Sequence, residues 1–291
     1  MAALAIAFFA TRLINLTSIP IFTDEAIYLR WAQIGMGDAK WRFISLTDGK
    51  QPLLVWLFII TFKLIKGDPL FLGRLVSVFC GFAAMAGIAA FSWYKTRTIK
   101  GMVLGALLYI LIPFILFYDR IALYEGLFNA ISAWTLFMLY LFARKQRLDT
   151  ALILGTMIGF GLLTKSYSNF FLLLLPSTLI LLKWPKSGRI RVFLKWIGLS
   201  LVVFLQSQIY ENILRLSEFR HIISEKNLQF IYSFSEFINH PTLRIWGNFV
   251  GLGSWLADYL TLPFLVLIIT GLIWKIRRDV REGIFFAAWF V

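Results

Sequence analysis

Long apolar runs alternate with short polar breaks along nearly the whole chain. Residues 75–94, 101–118, 126–143, 150–164, 166–182, 196–210 and 259–274 carry no charge. Each approaches the ~20 residues a helix needs to cross a bilayer, once flanking Lys and Arg stems reach back to the interface. Residues 2–15 predict a shorter first span, and 283–291 begin another. Nine residues of helix do not cross a membrane. The natural protein is therefore expected to continue past Val291, with this chain a C-terminal truncation.

Two stretches read differently. Residues 51–62 are uncharged for only 12 positions before Lys63. They predict a juxtamembrane helix lying in the interface, within one large outer loop over 17–70. A second helix is expected over 25–35, and Pro20 and Pro52 stand at plausible helix starts. The alternative for 51–66 is a short membrane hairpin with Lys66-Gly-Asp68 at its tip. The polar segment 211–244 places Leu216, Phe219, Ile222 and Ile223 at near-helical spacing, which predicts surface helices.

Composition supports lipid as the solvent. The chain is 59% hydrophobic and 15% charged, more apolar surface than a soluble domain of this length can hide. A net charge of +14 would suit nucleic acid, but the cations fall in short clusters between apolar runs. The clusters are Lys95/Arg97/Lys100, Arg144/Lys145/Arg147, Lys183/Lys186/Arg189/Arg191 and Lys275/Arg277/Arg278/Arg281. Each is two spans from the next, so all share one side, the cytoplasmic one by the positive-inside rule. The fold expected is all-α: one polytopic transmembrane bundle over 1–291, with juxtamembrane helices in its first outer loop. The lone Cys80 can form no intrachain disulfide and reads as a packing residue.

The opposite side collects the residues with chemistry. Asp24 and Glu25 stand at the mouth of the first span, where carboxylates are costly and usually mark a site. Such a group can act as a general base, or can hold a metal. Adjacent helical residues point ~100° apart, so the two are expected to differ in role. The plainer alternative is a helix N-terminal pair favoured by the helix dipole, with Thr23 as the cap. Asp119, Arg120 and Glu125 lie between two spans. Arg120 suits phosphate, while an Arg–Glu pair fixing the turn is the alternative. Lys50, at an interfacial helix start, suits a lipid phosphate or is simply a snorkelling lysine. Lys165 is a lone cation on the side that lacks basic clusters, which hints at an anion partner. His221 and His240 have no companion ligands at metal-binding spacing. No phosphate-binding Gly-rich loop or serine triad pattern occurs.

Five short elements in order carry a family resemblance. They are Phe22-Thr-Asp-Glu-Ala-Ile-Tyr28, Lys50-Gln-Pro-Leu-Leu54, Arg74-Leu-Val-Ser77, Arg120-Ile-Ala-Leu-Tyr-Glu125 and Leu163-Thr-Lys165. Together they resemble the polyprenyl-phosphate-sugar-dependent glycosyltransferases of the GT-C fold. That group includes protein O-mannosyltransferases, lipid A aminoarabinose transferases and bacterial lipopolysaccharide sugar transferases. The resemblance spans roughly residues 12–185. Gln51 departs from the pattern, and nothing beyond 190 aligns with it.

The resemblance implies transfer of a sugar from a polyprenyl-phosphate carrier to a lipid, glycan or protein acceptor, by single displacement with inversion. Asp24 would be the base. Lys50, with Arg120 or Lys165, would neutralise the leaving phosphate. Glu25 or Glu125 would orient acceptor or donor. No cofactor is expected, and a divalent metal is left open. The protein would be a multi-pass protein of the inner (plasma) membrane, with an extracytoplasmic site and no nucleic-acid partner. The other readings are a transporter or flippase of the same lipid-linked sugar, which needs no base, and an inactive fragment.

Overall fold

A computed structural model of the chain describes residues 2–229, 234–240, 242 and 245–289. Among these the structure is all-α, with fifteen α-helices, four 3-10 segments and no strand. Three helices are long and apolar enough to cross a membrane alone. They are α4 (Pro69–Thr96), α7 (Tyr124–Lys145) and α10 (Arg189–Glu211, continued by the 3-10 turn Asn212–Leu216). Their sequences explain them. Asp68 caps α4 by accepting from Phe71 N at 2.8 Å, Pro69 occupies its first turn, and no other proline falls within its 28 residues. Around this frame stand the shorter α1 (Ala2–Leu13), α5 (Ile99–Leu111) and α8 (Leu148–Leu162). Helix α8 packs between α7 and α10, and α5 packs back on α4. The main buried core joins α7, α8 and α10 to α2 (Thr23–Gly37) and α3 (Leu53–Leu64).

The expected outer loop is helical. α2 is longer than the 25–35 expected, and its cap position is Phe22, not Thr23. Phe22 has no side-chain oxygen, so Glu25 serves instead, accepting from Phe22 N at 3.3 Å. α3 buries Leu54, Val55 and Phe58 against its neighbours.

Several expected spans are broken. The run 101–118 divides into α5 and α6 (Pro113–Tyr118), because Pro113 has no N–H to continue the ladder. The carbonyls freed at the break point at Arg12, whose Nη1 donates to Ile110 O at 3.0 Å. Arg12 Nε lies 3.2 Å from Asp119, and Tyr109 donates to the same carboxylate at 3.2 Å. Asp119 thus holds a broken helix together. Gly81 makes room for it, since a Cβ there would sit 2.4 Å from the Asp119 carboxyl. The run 166–182 is not one helix: it forms two 3-10 pieces flanking α9 (Asn169–Leu174), with Pro176 at the second break. The run 259–274 does not match a single element either. Residues 245–260 form α13 (Ile245–Leu260) and 262–278 form α14 (Leu262–Arg278), bent by 113° at Thr261. Of the polar segment, 212–216 is 3-10, while α11 (Arg220–Leu228) and α12 (Phe234–Asn239) are helical. Residues 230–233, 241, 243 and 244 lie outside the described residues.

Helices α4 and α7 run in the same direction and define two ends. At one end Glu282, on α15 (Val280–Ala287), gathers Lys95 at 2.6 Å, Arg144 at 2.7 Å, Lys275, and the Tyr140 hydroxyl at 2.5 Å. Three of the four basic clusters therefore meet at one end of the bundle. The segment Leu175–Leu181, just before the fourth, packs on α15 as well. The other end, roughly 30 Å away along α4 and α7 at 1.5 Å per residue, holds Asp24, Glu25, Lys50, Glu125 and Lys165.

The Arg12–Asp119 pair is fully buried. Removing one partner of such a pair typically costs about 3–5 kcal/mol. Arg12→Met should therefore lower the thermal midpoint in detergent sharply, and adding Asp119→Asn should restore part of the loss. A second loss on top of the first would show that the helix break does not depend on charge pairing.

Candidate active site

The site is built on a buried clamp. Glu25 and Arg74 are both 0% exposed. Arg74 Nε donates to one Glu25 oxygen at 2.8 Å and Nη2 to the other at 2.7 Å, a two-point fork. Its remaining donors reach the carbonyls of Leu16 and Ile19 at 2.9 Å and Pro20 at 3.3 Å. All five guanidinium N–H groups are thereby used. Glu25 also accepts from Ala122 N at 2.8 Å. One ion pair therefore fastens the 16–20 loop, the start of α2, the start of α4 and the 119–125 turn. Gly73 permits the approach, as a Cβ there would lie 2.3 Å from the Leu29 side chain.

With Glu25 turned inward, Asp24 faces the other way, as the helical offset between neighbours requires. It lines a half-open cavity of about 450 Å³. Lys50, Glu125 and Lys165 line the same cavity. Four of the six residues to which the resemblance gives a role are thus brought together. Glu25 is not among the lining residues. Nor is Arg120, whose Nη2 instead donates to Ile14 O at 2.8 Å and Asn15 O at 2.9 Å, closing the end of α1. His221 is exposed, with Nδ1 2.9 Å from Glu218 O, and His240 is exposed too. Among the described residues no group of three His, Cys, Asp or Glu side chains is close enough to share a metal ion.

The cavity's charges differ in their partners. Lys165 Nζ lies 2.5 Å from Glu125 Oε1 and over the Tyr167 ring. Burial works against the Lys165 charge, but the Glu125 carboxylate and Tyr167 outweigh it and hold the ammonium above its ordinary value. Asp24 accepts a hydrogen bond from the Tyr28 hydroxyl at 3.1 Å on Oδ2. Burial, and then the Asp24 charge, push the Tyr28 phenol far up, so it stays a donor. Neither Asp24 nor Lys50 has an ion-pair partner among the described residues.

Lys50 is placed by its neighbours. The 3-10 turn Ala39–Asp48 ends at Gly49, whose φ of 71° is left-handed and suits glycine. Gln51 donates to Ser166 Oγ at 2.6 Å, its carbonyl accepts from Tyr124 at 2.6 Å, and Leu53 N donates to Leu163 O at 3.0 Å. The residue that departs from the motif pattern therefore ties the Lys50 and Lys165 loops together. Sequence reasoning named no role for Arg74, Tyr28, Tyr124 or Ser166. It also passed over Lys226 and Asn227, which line the cavity from α11. Arg74 carried a signal, standing in a quoted motif, whereas Lys226 is one lysine in a polar segment.

Residues 50–210 match the family described as dolichyl-phosphate-mannose-protein mannosyltransferase, more than half of the chain. The chain belongs to this family. It is therefore a membrane glycosyltransferase of the GT-C type. No curated protein and no solved structure matches it. In this mannosyltransferase-family protein the matched region contains Lys50, Arg74, Arg120, Glu125 and Lys165. Asp24 and Glu25 precede it, and Lys226 follows it.

Proposed function

We propose that the protein transfers a sugar from a polyprenyl-phosphate carrier to an acceptor on the extracytoplasmic side of the membrane, with Asp24 as general base. The observation that carries this is a couple in one cavity: an acid, Asp24, and a cation, Lys50, neither in an ion pair among the described residues. A carboxylate facing the cavity is positioned to take the proton of an acceptor hydroxyl or amine. A lysine without an acid partner is available to a phosphate.

The step is a single displacement. Asp24 takes the acceptor's proton on the oxygen that Tyr28 leaves free. The acceptor atom attacks the anomeric carbon from the face opposite the carrier. The bond from that carbon to the phosphate oxygen breaks, and its electron pair leaves on the lipid phosphate. Lys50 and Lys165 stabilise the charge that accumulates there. Glu125 sets the position of Lys165 and orients the sugar. Glu25 acts through Asp24: locked to Arg74, it fixes the helix turn that aims the base. The gathering of basic clusters around Glu282, at the end remote from the cavity, supports an extracytoplasmic site by the positive-inside rule.

Two outcomes are expected. Asp24→Asn keeps the side chain's shape but removes the base, and should slow transfer by ~10²–10⁴-fold with donor binding little changed. Lys50→Met should weaken polyprenyl-phosphate binding by about 1.5–3 kcal/mol, the range for a hydrogen bond to a charged group, and more than Lys165→Met does. Transfer by Asp24→Asn within a few-fold of the parent would overturn the base and favour a transporter. Sidedness is checked separately in a Cys80→Ala background. In intact cells Thr47→Cys should react with an impermeant thiol reagent and Thr98→Cys should not; the reverse pattern would invert the topology.

A further inference from the structure

The cavity holds one cation that the reaction above does not use. Lys226 projects from α11 to the cavity rim, where its Nζ lies 3.0 Å from Asp48 Oδ1. The two side chains are 43% and 46% exposed. Such a rim pair contributes little to folding and exchanges partners readily. The helix that carries it buries no residue. Yet its contact with the loop is shaped for this side chain. A Cβ on Gly49 would fall 2.8 Å from Lys226 Cγ, so the lysine stem lies across the bare glycine beside Lys50.

The cavity's charges balance without a ligand: Asp24, Asp48 and Glu125 against Lys50, Lys165 and Lys226. The reaction upsets that balance. A sugar phosphodiester carries one negative charge. The polyprenyl phosphate it releases is a monoester, whose second ionisation lies near pH 6, so it carries nearly two. The extra charge appears where Lys50 stands. Asp48 and Lys50 flank Gly49, which places the Asp48–Lys226 pair next to that position.

We propose that Lys226 is a third phosphate-binding cation, held by Asp48 in the empty site and handed to the lipid phosphate when the donor occupies it. This rests on the polyprenyl-phosphate reading above. The ligand is a phosphate ester on a lipid, and Asp48 is its competitor for the lysine.

The test is a double-mutant cycle read by titration of purified protein with a short-chain polyprenyl phosphate in detergent. Lys226→Met should weaken binding about tenfold, a loss that one charge-assisted hydrogen bond accounts for. Lys226→Arg should restore most of it. Asp48→Asn should tighten binding several-fold, but only while Lys226 is present. Affinity changes of the same sign in Lys226→Met and Asp48→Asn would show a mere strut and overturn the proposal. So would tightening by Asp48→Asn that persists in the Lys226→Met background, because Asp48 would then act by its own repulsion. Inorganic phosphate is titrated alongside. Lys226-dependent binding of it as tight as that of the lipid would make this a free-phosphate site and overturn the lipid assignment. A parent protein that binds no polyprenyl phosphate would instead overturn the donor reading itself.

Discussion

The site depends on the Glu25–Arg74 ion pair. Taking two charges out of water costs several kcal/mol per ion, and only good geometry with further hydrogen bonds recovers that. Here both oxygens of Glu25 and all five donors of Arg74 are engaged. The pair therefore stabilises one arrangement and penalises alternatives in which any of the four segments moves away. Its product is a direction. Once Glu25 is held inward, a helix of 3.6 residues per turn must aim Asp24 elsewhere, and the 119–125 turn that Glu25 grips brings Glu125 to the same cavity. Residues 16–25, a loop and the first turn of α2, gain the precision of a core element.

Charge is distributed accordingly. Acids that hold the fold are buried and fully paired: Glu25 on Arg74, Asp119 on Arg12, Glu282 on three cations. The acids of the cavity are half-buried and, among the described residues, either without an ion pair or tied to a single lysine. The first kind makes α1, α4, α7 and α15 a rigid frame. The second leaves charges that a substrate can engage. That contrast separates Asp24 from Glu25 although the two are neighbours in the chain.

Some of this was legible in the sequence. The spans over α4, α7 and α10 and the shorter helix α8 follow from uncharged runs bounded by basic clusters, and membership of a GT-C glycosyltransferase family followed from the order of five short motifs. The breaks were not legible. Pro113 and Pro176 stand in apolar runs that read as continuous, because prolines are tolerated in membrane helices when neighbours satisfy the freed carbonyls. Arg12 does that at Tyr109 and Ile110, and only topology brings residues 98 positions apart together. For the site, position alone pointed to Asp24, Lys50, Glu125 and Lys165. It could not tell that Arg120 turns to the end of α1, since a basic residue between two spans reads the same whichever way it points. Glu25 and Arg74 each stood in a motif, but their pairing is a property of the folded chain. Lys226 left no signal, because a lysine in a polar segment is ordinary.

The central claim is that the cavity between Asp24 and Lys50 is where a lipid phosphate leaves a sugar. The most direct measurement is a structure of the protein with polyprenyl phosphate bound. The phosphate should lie within hydrogen-bonding reach of Lys50 Nζ, with Asp24 facing it across the cavity and the lipid chain passing out toward the hydrocarbon. A phosphate found instead among Lys95, Arg144 and Lys275, at the opposite end of the bundle, would contradict the account.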